Sequence, residues 1–391
     1  MISFFTISTT FFRNQYQLAY SHQQTITTNN SNYSSKNELS NALLEQFKEI
    51  VFKQLSSNSS SLVPIVVGIV TTNGTQVSGY GNISSSNDTK VDGNTVFDIA
   101  SIAKTFVTIV LADIVKQGLV NLDDPIEKYL PANNITVPSY NGHKITLEDL
   151  ATHTSGLPDF PRGWIRNHSY TTQQVYDFIS NTTLSSEPGI KADYSDIGMG
   201  LLGHILSLRT SVSFDQLVKD RILNVLAMDS TGMRMNASEI SVPEDIKSRF
   251  AKGHIAGKEV NLEFIPEAIQ SAGAMYSTTD DLLKYLSANI GLIQTKIKDA
   301  IQETHLIRHS LEESSDHKSL TEDYIGLGWT ITTDFGKEAI WHTGSIDGYT
   351  SIIGFNPSTQ IGLVIRCGCD YRDFPSSEPI NLAIPFLLYY K

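Results

Sequence analysis

Cysteine is almost absent: Cys367 and Cys369 are the only two in 391 residues. That excludes a disulfide-stapled mini-protein and a zinc module built from cysteines. No apolar run reaches the roughly eighteen residues that a membrane-spanning helix needs. Positive charge is also scarce, since 29 Lys and Arg face 41 Asp and Glu, a net charge of −12. Such a surface repels phosphate backbones and anionic headgroups, so nucleic acid is not an expected partner. Missing too are a Gly-x-Ser-x-Gly elbow, a His-Glu-x-x-His pair and a phosphate-binding Gly-x-x-x-x-Gly-Lys-Ser/Thr loop. Their absence removes the α/β-hydrolase, zincin and P-loop readings. What remains is 40% hydrophobic and 18% charged, enough apolar material for a large core.

The chain starts with MISFFTISTTFF, an export signal interrupted by Ser and Thr and lacking a basic start, because Arg13 is the first cation. Residues 14–37 are polar, so 1–37 reads as a leader followed by a disordered tail. Asn-x-Ser/Thr triplets begin at Asn29, Asn32, Asn58, Asn73, Asn82, Asn87, Asn134, Asn167, Asn181 and Asn236. With the leader they point to an extracytoplasmic or secreted protein. The two cysteines, one residue apart on a strand, share a face at a spacing near the outer limit for bridging. The expectation is two free cysteines packed as small core residues and no metal site.

A capping-box pattern at Ser35-Lys36-Asn37-Glu38 predicts a helix whose apolar stripe is Leu39, Leu43, Phe47, Ile50, Val51 and Leu55. VPIVVGIVTT and QVSGYGNI then read as strands joined at Asn73-Gly74. The stretch from about 100 to 300 is mainly helical in pattern. Strands return as IGLGWTIT, EAIWHT, YTSIIGFNP and IGLVIRCG, before a last helix, INLAIPFLLYY, that Pro385 bends or delays. The fold class is therefore α+β. An antiparallel sheet made by both chain ends (about 38–100 and 300–391) is flanked by helices, and a mostly helical lobe (about 101–299) is inserted between them.

Three short patterns carry chemistry. Ser101-Ile102-Ala103-Lys104 opens an apolar helix, which puts the hydroxyl and the amine on one face. A desolvated lysine can activate such a serine, and a helix N-terminus stabilises charge on a substrate oxygen. Tyr194-Ser195-Asp196 follows Pro188-Gly189, and His342-Thr343-Gly344-Ser345 ends a strand. Each alone has a plainer meaning: a helix cap, a tyrosine flanking a helix, a structural histidine. Ser315 and Lys318 repeat the first spacing in a polar loop.

In this order, and with FDIASIAKTF, GLVNLDDPIEKYLP, ITLEDLATHTSGLP, PGIKADYSDIGMGLLGHIL, SAGAMYSTTDDLLKYL and WHTGSIDGYTSIIGFNP between and around them, the chain resembles a known superfamily. It is that of the serine β-lactamases and penicillin-binding proteins, in the branch of class C β-lactamases, D,D-peptidases and esterases. The resemblance spans about residues 40–390. It implies an acyl-enzyme formed on Ser101 from an ester, a peptide-like amide or a β-lactam. It further implies a proton relay shared by Lys104 and Tyr194, and an oxyanion hole from the backbone N–H groups of Ser101 and Ser345. Asp196, His342, Thr343 and Gly344 would face the substrate, and no cofactor is needed. His153 and Glu187 read as structural.

Two departures bear on substrate. The family's usual Tyr-x-Asn is Tyr-Ser-Asp here, which puts a carboxylate beside Lys104 and should hold it protonated. The Lys-Thr-Gly of efficient lactamases is His-Thr-Gly, and a neutral histidine binds an anionic substrate less well. An esterase or D,D-peptidase is therefore expected ahead of an efficient lactamase. The alternative is a non-catalytic binding or assembly module that keeps the fold.

Overall fold

IVVGIVT, the run Ile65–Thr71, is buried on both faces over its first six residues, as an interior strand must be. In the computed structural model, which describes residues 45–53, 63–161, 170–234, 242–262, 265–311, 322–373 and 379–390, this strand (β1) lies inside an eight-stranded sheet. It pairs with Gly74–Tyr80 (β2) across a tight turn at Thr72-Asn73. Three short strands follow in the chain: Val96–Asp98 (β3), Gly232–Met233 (β4) and Met275–Thr278 (β5), which form a separate sheet in the order β3-β5-β4. The C-terminal part supplies His309–Ser310 (β6), Glu322–Ile325 (β7), Thr330–Asp334 (β8), Lys337–Ile346 (β9), Tyr349–Asn356 (β10) and Ile361–Cys367 (β11). The main sheet runs β6-β7-β8-β9-β10-β11-β1-β2, with every pair antiparallel. Both chain ends therefore build it, and β1 is flanked by the last strand and by its own hairpin partner.

Helices cover the two faces. On one, residues 45–53 (α1) and Pro379–Tyr389 (α5) share an apolar cluster with β1 and β11 that includes Val51, Ile65, Ile365 and Leu387. Phe47 stacks on Phe386 at 4.1 Å. On the other face, Ala103–Lys116 (α2), Asp196–Thr210 (α3) and Thr279–Ile290 (α4) belong to the largest cluster. Eleven of the 14 residues of α2 are buried, so it is a core helix, apolar almost all round, and not a surface amphipathic one.

Several expectations change on contact with the structure. IGLGWTIT is two strands, β7 and β8, separated at Gly326–Trp329. Gly328 takes a φ of +70°, and a Cβ there would meet the Thr108 side chain at 2.9 Å, so the chain turns instead of continuing straight. The cysteines are not free: Cys367 and Cys369 form a disulfide with their Cα atoms 5.1 Å apart. β11 ends at Cys367, and the next residue, Gly368, bonds sideways to Pro64 O at 2.8 Å. The chain bends there and draws the pair within bridging distance. Ile50 is exposed, whereas Val51 is fully buried. The leader, the polar tail and the capping box at Ser35–Glu38 lie outside the described residues, as do Asn167, Asn236, Ser315 and Lys318.

Candidate active site

The turn that carries Ser101 begins where β3 stops. Asp98 is fully buried, and its carboxylate accepts the Ala100 N–H at 2.7 Å while pairing with Arg234 at 2.7 Å. Ala100 is held at a φ of +43°, a left-handed conformation that costs an L-residue roughly 1–2 kcal/mol. A single 3-10 turn, Ala100–Ile102, then leads into α2. This places Ser101 at the partly open mouth and Lys104 in the fully buried interior one turn later.

Lys104 Nζ donates to Ser101 Oγ at 2.9 Å and to the carbonyl oxygen of Ala272 at 2.7 Å. It lies 2.5 Å from Asp196 Oδ1 and 4.8 Å from the centroid of the Tyr194 ring. Tyr194 and Asp196 arrive together because α3 starts between them. Ser195 caps that helix, accepting the Gly198 N–H at 2.9 Å while its own hydroxyl donates to Pro158 O at 2.8 Å.

The third segment is the open part of β9. Its pairing with β8 ends at Thr330↔Trp341, whereas its pairing with β10 continues through Ile346↔Tyr349. Beyond Trp341, β9 thus has no β8 residue beside it, and Gly344 packs against the turn that carries Ser101. A Cβ on Gly344 would fall 2.2 Å from Ile99 O, so only glycine permits this approach. His342 and Gly344 are buried, and Thr343 and Ser345, on the opposite face of the strand, are half-buried.

Charge at the site follows from burial. Burial alone would lower the Lys104 pKa, but Asp196 and Tyr194 outweigh it, and the ammonium is held well above the ordinary lysine range. Burial, opposed by the Lys104 charge and helped by Asp196, holds Tyr194 as a neutral phenol. His342 is pushed down to about 3 by burial and by the Lys104 charge, so it is uncharged at neutral pH. All eight residues expected at the site are thereby located on three converging segments.

Two further residues belong to this neighbourhood. His153, read from sequence as structural, stacks on Tyr194 at 4.5 Å, and its Nδ1 accepts the Ser195 N–H at 3.1 Å. Asp159 accepts the Asp196 N–H at 3.0 Å. The surrounding protein first, and then the Asp196 charge, push the Asp159 carboxyl up to about 7. HTSGLP marked the His153 loop, whereas nothing local marked Asp159. Glu187 pairs with His143 at 2.9 Å. Among the described residues, no group of three or more His, Cys, Asp or Glu side chains is placed to hold a metal ion.

Comparison with known proteins finds relatives at low identity. The D-alanyl-D-alanine-carboxypeptidase/endopeptidase AmpH of Escherichia coli K12 is 26% identical over 345 residues, 84% of each chain. A β-lactamase of Pseudomonas fluorescens is 25% identical over 357 residues, covering 81% of this chain and 90% of that one. Among solved structures, a β-lactamase/D-alanine carboxypeptidase from Yersinia pestis, complexed with citrate, superposes with a TM-score of 0.73 at 22% identity, over 90% of this chain and 99% of that one. A class C β-lactamase from Rhodobacter sphaeroides gives 0.70 at 20% identity, over 86% and 98%. The model of the β-lactamase family matches residues 52–379. The chain belongs to the β-lactamase family of serine hydrolases.

Proposed function

We propose that Ser101 attacks the carbonyl of an ester or a peptide-like amide, forming an acyl-enzyme that water then hydrolyses. The observation that carries this is the 2.9 Å contact between Ser101 Oγ and the buried Lys104 Nζ, under the Tyr194 ring. Asp196 keeps Lys104 charged, so Tyr194 is the base. Its phenol first releases its proton to solvent, and the phenolate, stabilised beside that ammonium, then takes the Ser101 proton as Oγ bonds to the carbonyl carbon. The hydroxyl of Tyr194 interacts with both Lys104 and Ser101, and a base so placed contributes typically 10²–10⁴-fold. The two groups titrate as a coupled pair. Tyr194 returns the proton to the leaving group, then repeats the cycle with water as nucleophile. The backbone N–H groups of Ser101 and Ser345 receive the carbonyl oxygen, a contribution worth about 10²–10³-fold per donor. Thr343 and Gly344 border the acyl donor along the open edge of β9.

An uncharged His342 offers a substrate carboxylate no cation, and the Lys104 charge is already matched by Asp196. This supports an ester or amide substrate ahead of efficient β-lactam turnover. An extracytoplasmic location is part of the same proposal, favoured by the buried Cys367–Cys369 bridge. Exposed acceptor triplets at Asn73, Asn87, Asn134 and Asn181 agree with it. No described helix is long and apolar enough to cross a membrane.

The test is intact-mass spectrometry after brief exposure to a penicillin and to a panel of activated esters, with Ser101→Ala alongside. An acyl adduct on the parent chain that the folded variant lacks is the expected result. If no donor leaves an adduct and none is turned over, a non-catalytic binding module becomes the better description.

A further inference from the structure

Beside Tyr194 lies a cleft of about 50 Å³ with apolar walls that include Leu311, Ile325 and Trp329. A water needs roughly 10–15 Å³ by this measure, so the space admits a group of several heavy atoms. Its polar lining includes the two imidazoles, His153 and His342. No Lys or Arg lines it among the described residues.

Hydrogen bonding fixes the tautomer of each ring, and the two are opposite. His153 Nδ1 accepts the Ser195 N–H, so its proton sits on Nε2. That Nε2–H is buried and has no partner among the described residues, and His153 as a whole is 4% exposed. His342 Nδ1 lies 2.6 Å from the carbonyl oxygen of Thr343, which can only accept. The Nδ1 therefore carries the proton, and Nε2 presents a lone pair. Burial and the nearby Lys104 charge keep both rings neutral.

We propose that this cleft is a subsite for an uncharged amide group of the acyl donor, bound between the His153 N–H donor and the His342 Nε2 acceptor. The carbonyl oxygen of an amide takes the first and its N–H serves the second, inside an apolar wall. A carboxylate offers acceptors only and would set its charge against the His342 lone pair. An ammonium offers donors only and leaves the His153 N–H unmatched. A buried polar group left without a partner is destabilising, so the mismatch discriminates. The proposal rests on the acyl-enzyme reading for where the acyl donor lies.

The test avoids catalysis altogether. The full-length Ser101→Ala chain, labelled with ¹⁵N in its histidines, is titrated with acetamide and separately with acetate. The two ring signals are identified by their loss in His153→Gln and His342→Gln. We expect one ring protonated at Nε2 and the other at Nδ1, both shifted by the amide, with the carboxylate binding at least tenfold more weakly. Identical tautomers, equal binding of the two probes, or an amide that moves neither ring would overturn the subsite. Because this variant cannot be acylated at Ser101, such a failure is distinct from a failure of the serine mechanism, which the mass measurement reads.

Discussion

Asp196 and Asp159 place two carboxylates around one buried ammonium. Asp196 contacts Lys104 directly, and Asp159 reaches it through the Asp196 backbone. With a pKa of about 7, Asp159 is neutral on the acid side and charged on the alkaline side of neutrality. For an anionic acyl donor, KM should therefore climb between pH about 6 and 8, while a neutral donor shows no such rise. Asp159→Asn should remove that inflection, which pH profiles of kcat and KM for a matched pair of donors will read. Asp196→Asn acts differently. Removing its charge lowers the pKa of both Lys104 and Tyr194, so the alkaline rise in kcat/KM should move to lower pH. A profile identical to that of the parent would show that Asp196 does not set the protonation of the pair.

At the level of elements, the site depends on how closely β9 approaches the turn before α2. Gly344→Ala forces a Cβ to within 2.2 Å of a backbone oxygen, and backbone cannot rotate away as a side chain can. Overpacking of this kind typically costs about 1–3 kcal/mol. The variant should unfold at lower denaturant concentration and lose kcat more than KM, since Ser101 and the Ser345 N–H are displaced from one another. The signals for the candidate site that were legible in the sequence were local ones. Ser101 and Lys104 share a helix turn, Tyr194 and Asp196 flank a cap, and His342 to Ser345 are contiguous. The parts that escaped depend on distant chain. His153 meets Ser195 across 42 residues, and Asp159 meets Asp196 across 37. The disulfide escaped for a similar reason. A straight strand disfavours it, and the bend at Gly368 is imposed by Pro64, which no pattern around Cys367 reveals. The break in IGLGWTIT likewise depends on α2, because Gly328 abuts Thr108.

For the whole molecule, the decisive feature is that β1 lies between β2 and β11, so neither chain end completes the sheet alone. Its outer face is closed by α5, and through it by α1. Leu387 is 1% exposed and reaches over β10, where the ideal Cβ of Gly354 would lie 2.8 Å from its Cδ1. The Leu387 carbonyl also accepts from Asn356 Nδ2 at 2.9 Å. Leu387→Ala should cost about 2–5 kcal/mol, the range for a buried leucine whose surroundings cannot collapse. The loss should be global, because Phe47 in α1 stacks on Phe386 and β1 shares the same cluster with β11. Tryptophan fluorescence in a Trp164→Phe background, which then reports Trp329 and Trp341 in the sheet region, and far-UV circular dichroism, which reports the helices, should shift to lower urea together. Separate midpoints would mean that the helical part holds its structure without the sheet, and that the sheet built from two chain ends is not the element on which the site's geometry depends.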